Sequence, residues 1–315
     1  MADRALELNE KPYAKCLLVG WDHQWSDGGS VSSGLPRYLI EKLRARKIGE
    51  MSGPVSAKCY PFQVPGTHDR HRPRVVYGDG LPTKDMSREN GFYDAGNGLI
   101  IFIGEEPWFR FDIYSETFFQ AVRELGVKQT VAVEGVNGAV PPDMERRISC
   151  VYSKVGMRDQ LEPFGLNFSN YGTERDSGPT IGMALITTAR FKYPEIEILR
   201  LGALAPTYPF LTAENEQVGI EIDHRSFYDI TRRLNAMYNL GIDLIEMKLL
   251  ADRESEELAF TLEEIAEANP AARRIIEQAR SEFQCTSFKD AASLDPILDK
   301  ELEDILRNTP ESHQE

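Results

Sequence analysis

Cysteine is scarce and scattered: Cys16, Cys59, Cys150 and Cys285 are the only four in 315 residues, and no two form a CxxC pair. That spacing builds neither a disulfide framework nor a zinc ribbon, so ordinary buried thiols are expected. Also missing is any uninterrupted apolar run near the roughly 18 residues that a membrane span needs. Positions 1–15 are polar and charged, without the apolar core and cleavage site of a secretory signal. A cytoplasmic protein with no membrane partner is expected. Positive charge is in deficit, with 36 Lys and Arg against 50 Asp and Glu and a formal net charge of −14. Residues 251–315 alone hold 17 acidic and 7 basic side chains. Such a surface repels phosphate backbones and anionic lipid, so nucleic acid is not an expected partner. The chain also lacks GK[ST], GxGxxG and GxSxG, which removes the P-loop, the dinucleotide fingerprint and the nucleophile elbow.

What is present is enough apolar material for a core, 41% hydrophobic and 10% aromatic. Continuous apolar runs at Cys16–Trp21, Leu99–Gly104, Gln129–Val133 and Glu197–Leu204 read as strands buried on both faces of a parallel sheet. Helical spacing follows at Leu35–Leu43, at Tyr114–Leu125 (closed by Gly126) and at Ile181–Phe191. Ile148–Ser153 and Asn167–Tyr171 read as shorter strands, with a helical Met157–Phe164 between them. Val55–Val64 and Arg74–Tyr77 are β-favouring and suggest an antiparallel pair or excursion. Strands alternating with helices predict a mostly parallel α/β sheet flanked by helices, Rossmann-like in layout, over residues 1–222. After Asp223 only helices are expected, near 225–240, 244–269, 270–283 and 296–306, forming a C-terminal helical extension (223–315) that packs on the core. Ala271, Ile275, Ile276 and Ala279 mark one apolar stripe there, fit to pack on its own domain or to enter a partner groove.

Ligands of open α/β sheets bind where the strands end at their carboxyl side. Three candidate strand ends carry Asp22 and His23, Glu105 and Glu106, and Glu134, so an acidic pocket of these side chains is expected at one edge. Paired carboxylates there suit acid/base work, or they cap the following turns. Gly28, Gly29 and Ser30 precede a helix and have backbone N–H groups to offer a small anion or nucleotide, or else form a plain surface loop. No catalytic residue is assigned. His68 and His71 have spacing that suits a metal, but Arg70 and Arg72 beside them repel a cation; neither a metal nor a cofactor is expected. Ser177 reads as a helix cap.

The order of motifs resembles a known family. Val19-Gly20-Trp21, then Leu39-Ile40-Glu41-Lys42-Leu43 and Ile48-Gly49-Glu50-Met51, look like the opening of the proteasome assembly chaperone 2 type. Ile100 to Pro107, Leu125-Gly126-Val127-Lys128 and Ala132 to Val136 resemble its midsection. Ile181 to Leu185 and Gly202 to Pro209 resemble its close. The resemblance covers about residues 15–245, and the helical tail is similar to longer bacterial members, also labelled uncharacterised ATP-grasp superfamily proteins. It implies a nucleoside-phosphorylase-like fold, no catalytic set shared across the family, protein partners and a homo-oligomer. Family members that act on proteasome α-subunits end in a hydrophobic-Tyr-any tripeptide, whereas this chain ends Ser312-His313-Gln314-Glu315, so the resemblance assigns it no client. The alternative is a nucleotide-dependent, ligase-like or small-ligand-binding enzyme that uses the carboxyl edge.

Overall fold

The computed structural model describes residues 5–51, 53–60, 75–83, 88–170, 178–211, 215 and 217–288. In chain order the elements are β1 (Leu6–Leu8), β2 (Cys16–Asp22), α1 (Val31–Lys42), β3 (Arg46–Met51), α2 (Gly53–Cys59), β4 (Tyr77–Gly78), β5 (Leu81–Pro82), β6 (Asn90–Asp94), β7 (Leu99–Glu105), α3 (Phe111–Glu124), β8 (Gln129–Gly138), β9 (Ile148–Tyr152), α4 (Met157–Leu161), β10 (Asn167–Phe168), α5 (Ile181–Lys192), β11 (Glu197–Leu211), β12 (Gln217–Gly219), α6 (His224–Tyr238), α7 (Ile245–Ala268) and α8 (Pro270–Glu282).

The four apolar runs become four adjacent parallel strands, β7-β2-β8-β11. Their side chains point alternately to two buried faces, which explains why apolar residues occupy consecutive positions. Around this centre the sheet is mixed. β6, β3 and β1 extend one side antiparallel, and β9 runs antiparallel on β11 with β10 parallel to it at the far edge. The expected α/β sheet with helices on both faces and helices after Asp223 is therefore found, parallel at its centre and antiparallel towards its margins. One expectation fails: Val55 sits in helix α2, not in a strand. Its neighbours give the reason, because Val55 and Cys59, four apart, are both fully buried in one core cluster, a helical spacing. The excursion after it holds an isolated antiparallel hairpin, β4–β5. The expected helix at 296–306, His68, His71 and Ser177 lie outside the described residues.

One face of the sheet packs Trp21, Phe92 and Phe102 against Phe118 and Phe119 of α3, with α2 and α5 beside them. The other face packs Leu18, Ile101 and Val133 against Leu35 and Leu39 of α1 and Phe227, Ile230 and Leu234 of α6. α1 starts at Val31, so Pro36 falls in its second turn, where it lies against Gly20. Helices α7 and α8 form a smaller cluster with β11 and β12: Ile276 and Ala279 of α8 pack on Tyr208, Val218, Leu258 and Leu262, while Ile275 is 38% exposed. Of the predicted stripe, then, Ile276 and Ala279 serve their own chain. Among the described residues no helix is long and apolar enough to cross a membrane.

A fully buried ion pair fastens the start of α6. Arg146 reaches Asp223 through Nε at 2.9 Å and Nη2 at 3.1 Å, and its backbone N–H donates to Asp229 Oδ2 at 2.8 Å. Asp223 also accepts from Ser226 Oγ, and its own N–H donates to Gly29 O at 3.0 Å. Replacing Asp223 with Asn leaves the Arg146 charge without a counter-ion. Asp223→Asn is expected to lower unfolding stability by about 3–5 kcal/mol in denaturant titration; a loss within about 0.5 kcal/mol would mean the pair does not anchor α6.

Candidate functional site

Because β7, β2 and β8 are parallel, Asp22, Glu105 and Glu134 all reach the same edge of the sheet. Asp22 pairs directly with Glu105, and β8 continues alongside. Alternation then separates them. Asp22 and Glu105 emerge on one face, while Glu134 points to the other, against Gly182 of α5. Glu106, one residue beyond Glu105, falls on the Glu134 side. The five predicted side chains share an edge but are divided by the sheet itself.

On the first face, charges are matched. Arg37 of α1 pairs with Asp22 and with Glu89, the latter at 3.1 Å. Arg88 pairs with Glu105, and His23 Nδ1 stands 3.7 Å from Glu105 Oε2. His23 takes a left-handed backbone (φ 58°), uncommon for a residue with a side chain. The Glu105 carboxylate raises its pKa. Burial opposes ionisation of Glu105, but His23 and Arg88 outweigh it and hold that carboxyl below its usual range.

On the second face Glu134 is fully buried and accepts from Arg200 Nε and Thr180 Oγ1, both at 2.6 Å. Arg200 also donates to Ser149 Oγ at 2.8 Å. Glycine makes the room: a Cβ at Gly182 would come 2.5 Å from Glu134 Oε1, and one at Gly202 would strike the Arg200 guanidinium. Glu106 differs from its neighbours, since the described contact of its carboxylate is with the Trp25 N–H, at 3.3 Å. Burial, reinforced by the Glu134 charge, pushes it up to about 7. Near neutral pH it is therefore divided between acid and carboxylate, able to donate or accept a proton.

The glycine loop folds inward. Asp27 forms a parallel bridge to Gly135, and a Cβ on Gly135 would sit 1.7 Å from Gly28 O, so bare backbone meets bare backbone there. Gly29 and Ser30 both take positive φ, and Ser30 Oγ donates to Glu221 O at 2.9 Å. The amino end of α1 is capped from within: Asp27 accepts from the Ser32 N–H at 2.5 Å, the Ser33 N–H at 3.3 Å and Ser33 Oγ at 2.6 Å. At α5 the cap is Thr180, which accepts from the Met183 N–H.

The arginine partners were not foreseen. Arg200 carried a signal, because an arginine inside the apolar run Ile198–Leu201 can stay buried only beside a carboxylate, and Glu134 is the one on the neighbouring strand. Arg37 and Arg88 carried none, as each sits in an ordinary polar context. Among the described residues no cluster of His, Cys, Asp and Glu is arranged to hold a metal ion.

A raised carboxyl pKa favours folding in acid: the native state binds the Glu106 proton more tightly than the unfolded chain between 4.5 and about 7, so this contribution is complete below 4.5 and is lost as pH rises through 7. Glu106→Gln should remove that slope, on the order of 2 kcal/mol after allowance for partial exposure. Parallel stability–pH profiles for the two proteins would refute the assignment.

The comparisons agree with this architecture. Solved structures similar to the chain include a proteasome-assembly chaperone homologue of Mycobacterium tuberculosis (15% identity, 78% of this chain and 94% of that one, TM-score 0.62). Another is an archaeal homologue of proteasome-assembly chaperone from Pyrococcus furiosus (18% identity, 88% and 97% covered, TM-score 0.54). A third is an archaeal proteasome activator from the same organism (16% identity, 82% and 98% covered, TM-score 0.53). At these identities the likeness is one of fold. No curated protein sequence matches the chain. The model of the PAC2 family, however, matches residues 23–265, more than half the sequence, and the chain belongs to that family.

Proposed function

We propose that this protein is an assembly-chaperone-like scaffold, an oligomer that binds protein partners and carries out no reaction, with residues 1–222 as its α/β core and 223–315 as a helical region packed on it. The observation that carries the reading is how the carboxyl edge is used. In open α/β enzymes this edge offers unpaired donors to a ligand. Here Asp27 caps α1, Gly28 lies on the β8 backbone, and Asp22, Glu105 and Glu134 each hold an arginine. Family membership and the likeness to proteasome-assembly chaperone homologues point the same way.

A second reading has one observation in its favour. Glu106, half-buried with its pKa near 7 beside Glu134, is poised for proton transfer. A small-ligand enzyme at the edge of Asp22, His23, Glu105, Glu106 and Glu134 would use it as acid or base, with Gly28, Gly29 and Ser30 flanking the opening.

Two measurements separate the readings. Light scattering is expected to give a mass above 35.6 kDa, and affinity purification with mass spectrometry should enrich a defined protein while nucleotides leave the melting temperature unchanged. A monomer at micromolar concentration would end the oligomer proposal; a Mg²⁺-dependent melting shift of several degrees with ATP would favour the enzyme.

A further inference from the structure

Among the described residues β12 pairs with β11 alone, and α7 passes beside it. Between them lies a groove of about 460 Å³. Val218 turns its side chain down into the cluster of Tyr208, Leu258 and Leu262, so Gln217 and Gly219 face away from that cluster. Leu258 forms an apolar floor, and Ile222, 48% exposed, an apolar wall. Among the described residues every charged one lining the groove is acidic: Glu221, Glu254 and Glu257. Glu254 is occupied by the His224 ring and N–H. The exposed carboxylates of Glu221 and Glu257 have no ion-pair partner among the described residues.

Each feature restricts the occupant. A strand with an unpaired side adds another strand by main-chain hydrogen bonds, which selects an extended polypeptide. Two uncompensated carboxylates select positive charge and repel nucleic acid or anionic lipid. The apolar floor between them accepts one aliphatic side chain. We propose that the groove between β12 and α7 binds an extended basic segment of a partner protein, laid along β12 with Lys or Arg against Glu221 and Glu257 and an apolar residue over Leu258. This deepens the protein-binding reading above and rests on it.

The probe is a short labelled peptide alternating Lys and Val, titrated into the full chain by fluorescence anisotropy. The comparison peptides are its Glu/Val counterpart and a Lys/Val version N-methylated at alternate residues. The Lys/Val peptide is expected to bind; the acidic peptide should not, and the N-methylated peptide should bind about tenfold more weakly because main-chain pairing is blocked. The double variant Glu221→Lys, Glu257→Lys should also lose about tenfold for Lys/Val while melting as the native protein does, both positions being exposed. No binding of Lys/Val, equal binding of the acidic peptide, or indifference to both N-methylation and the double variant would overturn the groove. Tagged native protein and double variant are then compared in affinity purification. A partner recovered equally by both sinks the groove and leaves the scaffold reading intact, whereas recovery of no partner by the native protein sinks that reading whatever the peptides do.

Discussion

Asp223 is the residue on which the surrounding segments converge. Its carboxylate neutralises the buried Arg146 and takes the Ser226 hydroxyl, its N–H holds Gly29 O, and its Cβ fills the space over Gly29. Three stretches distant in sequence thus share one side chain: the loop after β2, the connection from β8 to β9, and the start of α6. Burying two charges is unfavourable unless each hydrogen-bonding position is filled, and here Arg146 also donates to the carbonyls of Pro141, Pro142 and Met144. The geometry of the loop around Gly28 is therefore a consequence of where α6 is anchored.

The same logic governs the carboxyl edge. Parallel strands bring acidic ends together, and a cluster of unmatched carboxylates would oppose folding. Arg37, Arg88 and Arg200 resolve this on both faces, each from a different element. Glu106, which has no arginine partner among the described residues, responds by retaining its proton to higher pH. Among the described residues, α7 and the groove beside β12 carry further negative charge on exposed faces, where water or a partner can answer it.

The centre of the fold was legible because β2, β7, β8 and β11 are buried on both faces and leave uninterrupted apolar runs. The margins were not. β1 is three residues long, β3 opens with the exposed Arg46 and Lys47, and β6 begins Asn90-Gly91, so each reads as loop until a neighbouring strand supplies its hydrogen bonds. Val55 misled because a β-branched residue in a short apolar run fits either period. At the edge, the shared strand end of Asp22, Glu105 and Glu134 followed from strand polarity. Which face each side chain takes depends on register, and which arginine meets each carboxylate depends on how α1, β11 and the segment before β6 pack at the strand ends, which no local pattern encodes.

The buried link between Glu134 and Arg200 joins positions 66 residues apart, as part of a ten-residue register between β8 and β11. β9 lies between them in sequence, yet in the sheet it sits on the far side of β11, with β10 on its own outer side. During synthesis β8 is therefore complete long before β11 exists, and β9 leaves the ribosome before either of its partner strands. Until residue 206 is free, one flank of the central sheet is an open, apolar strand edge, the kind of surface that aggregates. A chain with this topology is itself dependent, while being made, on not meeting another copy at that stage.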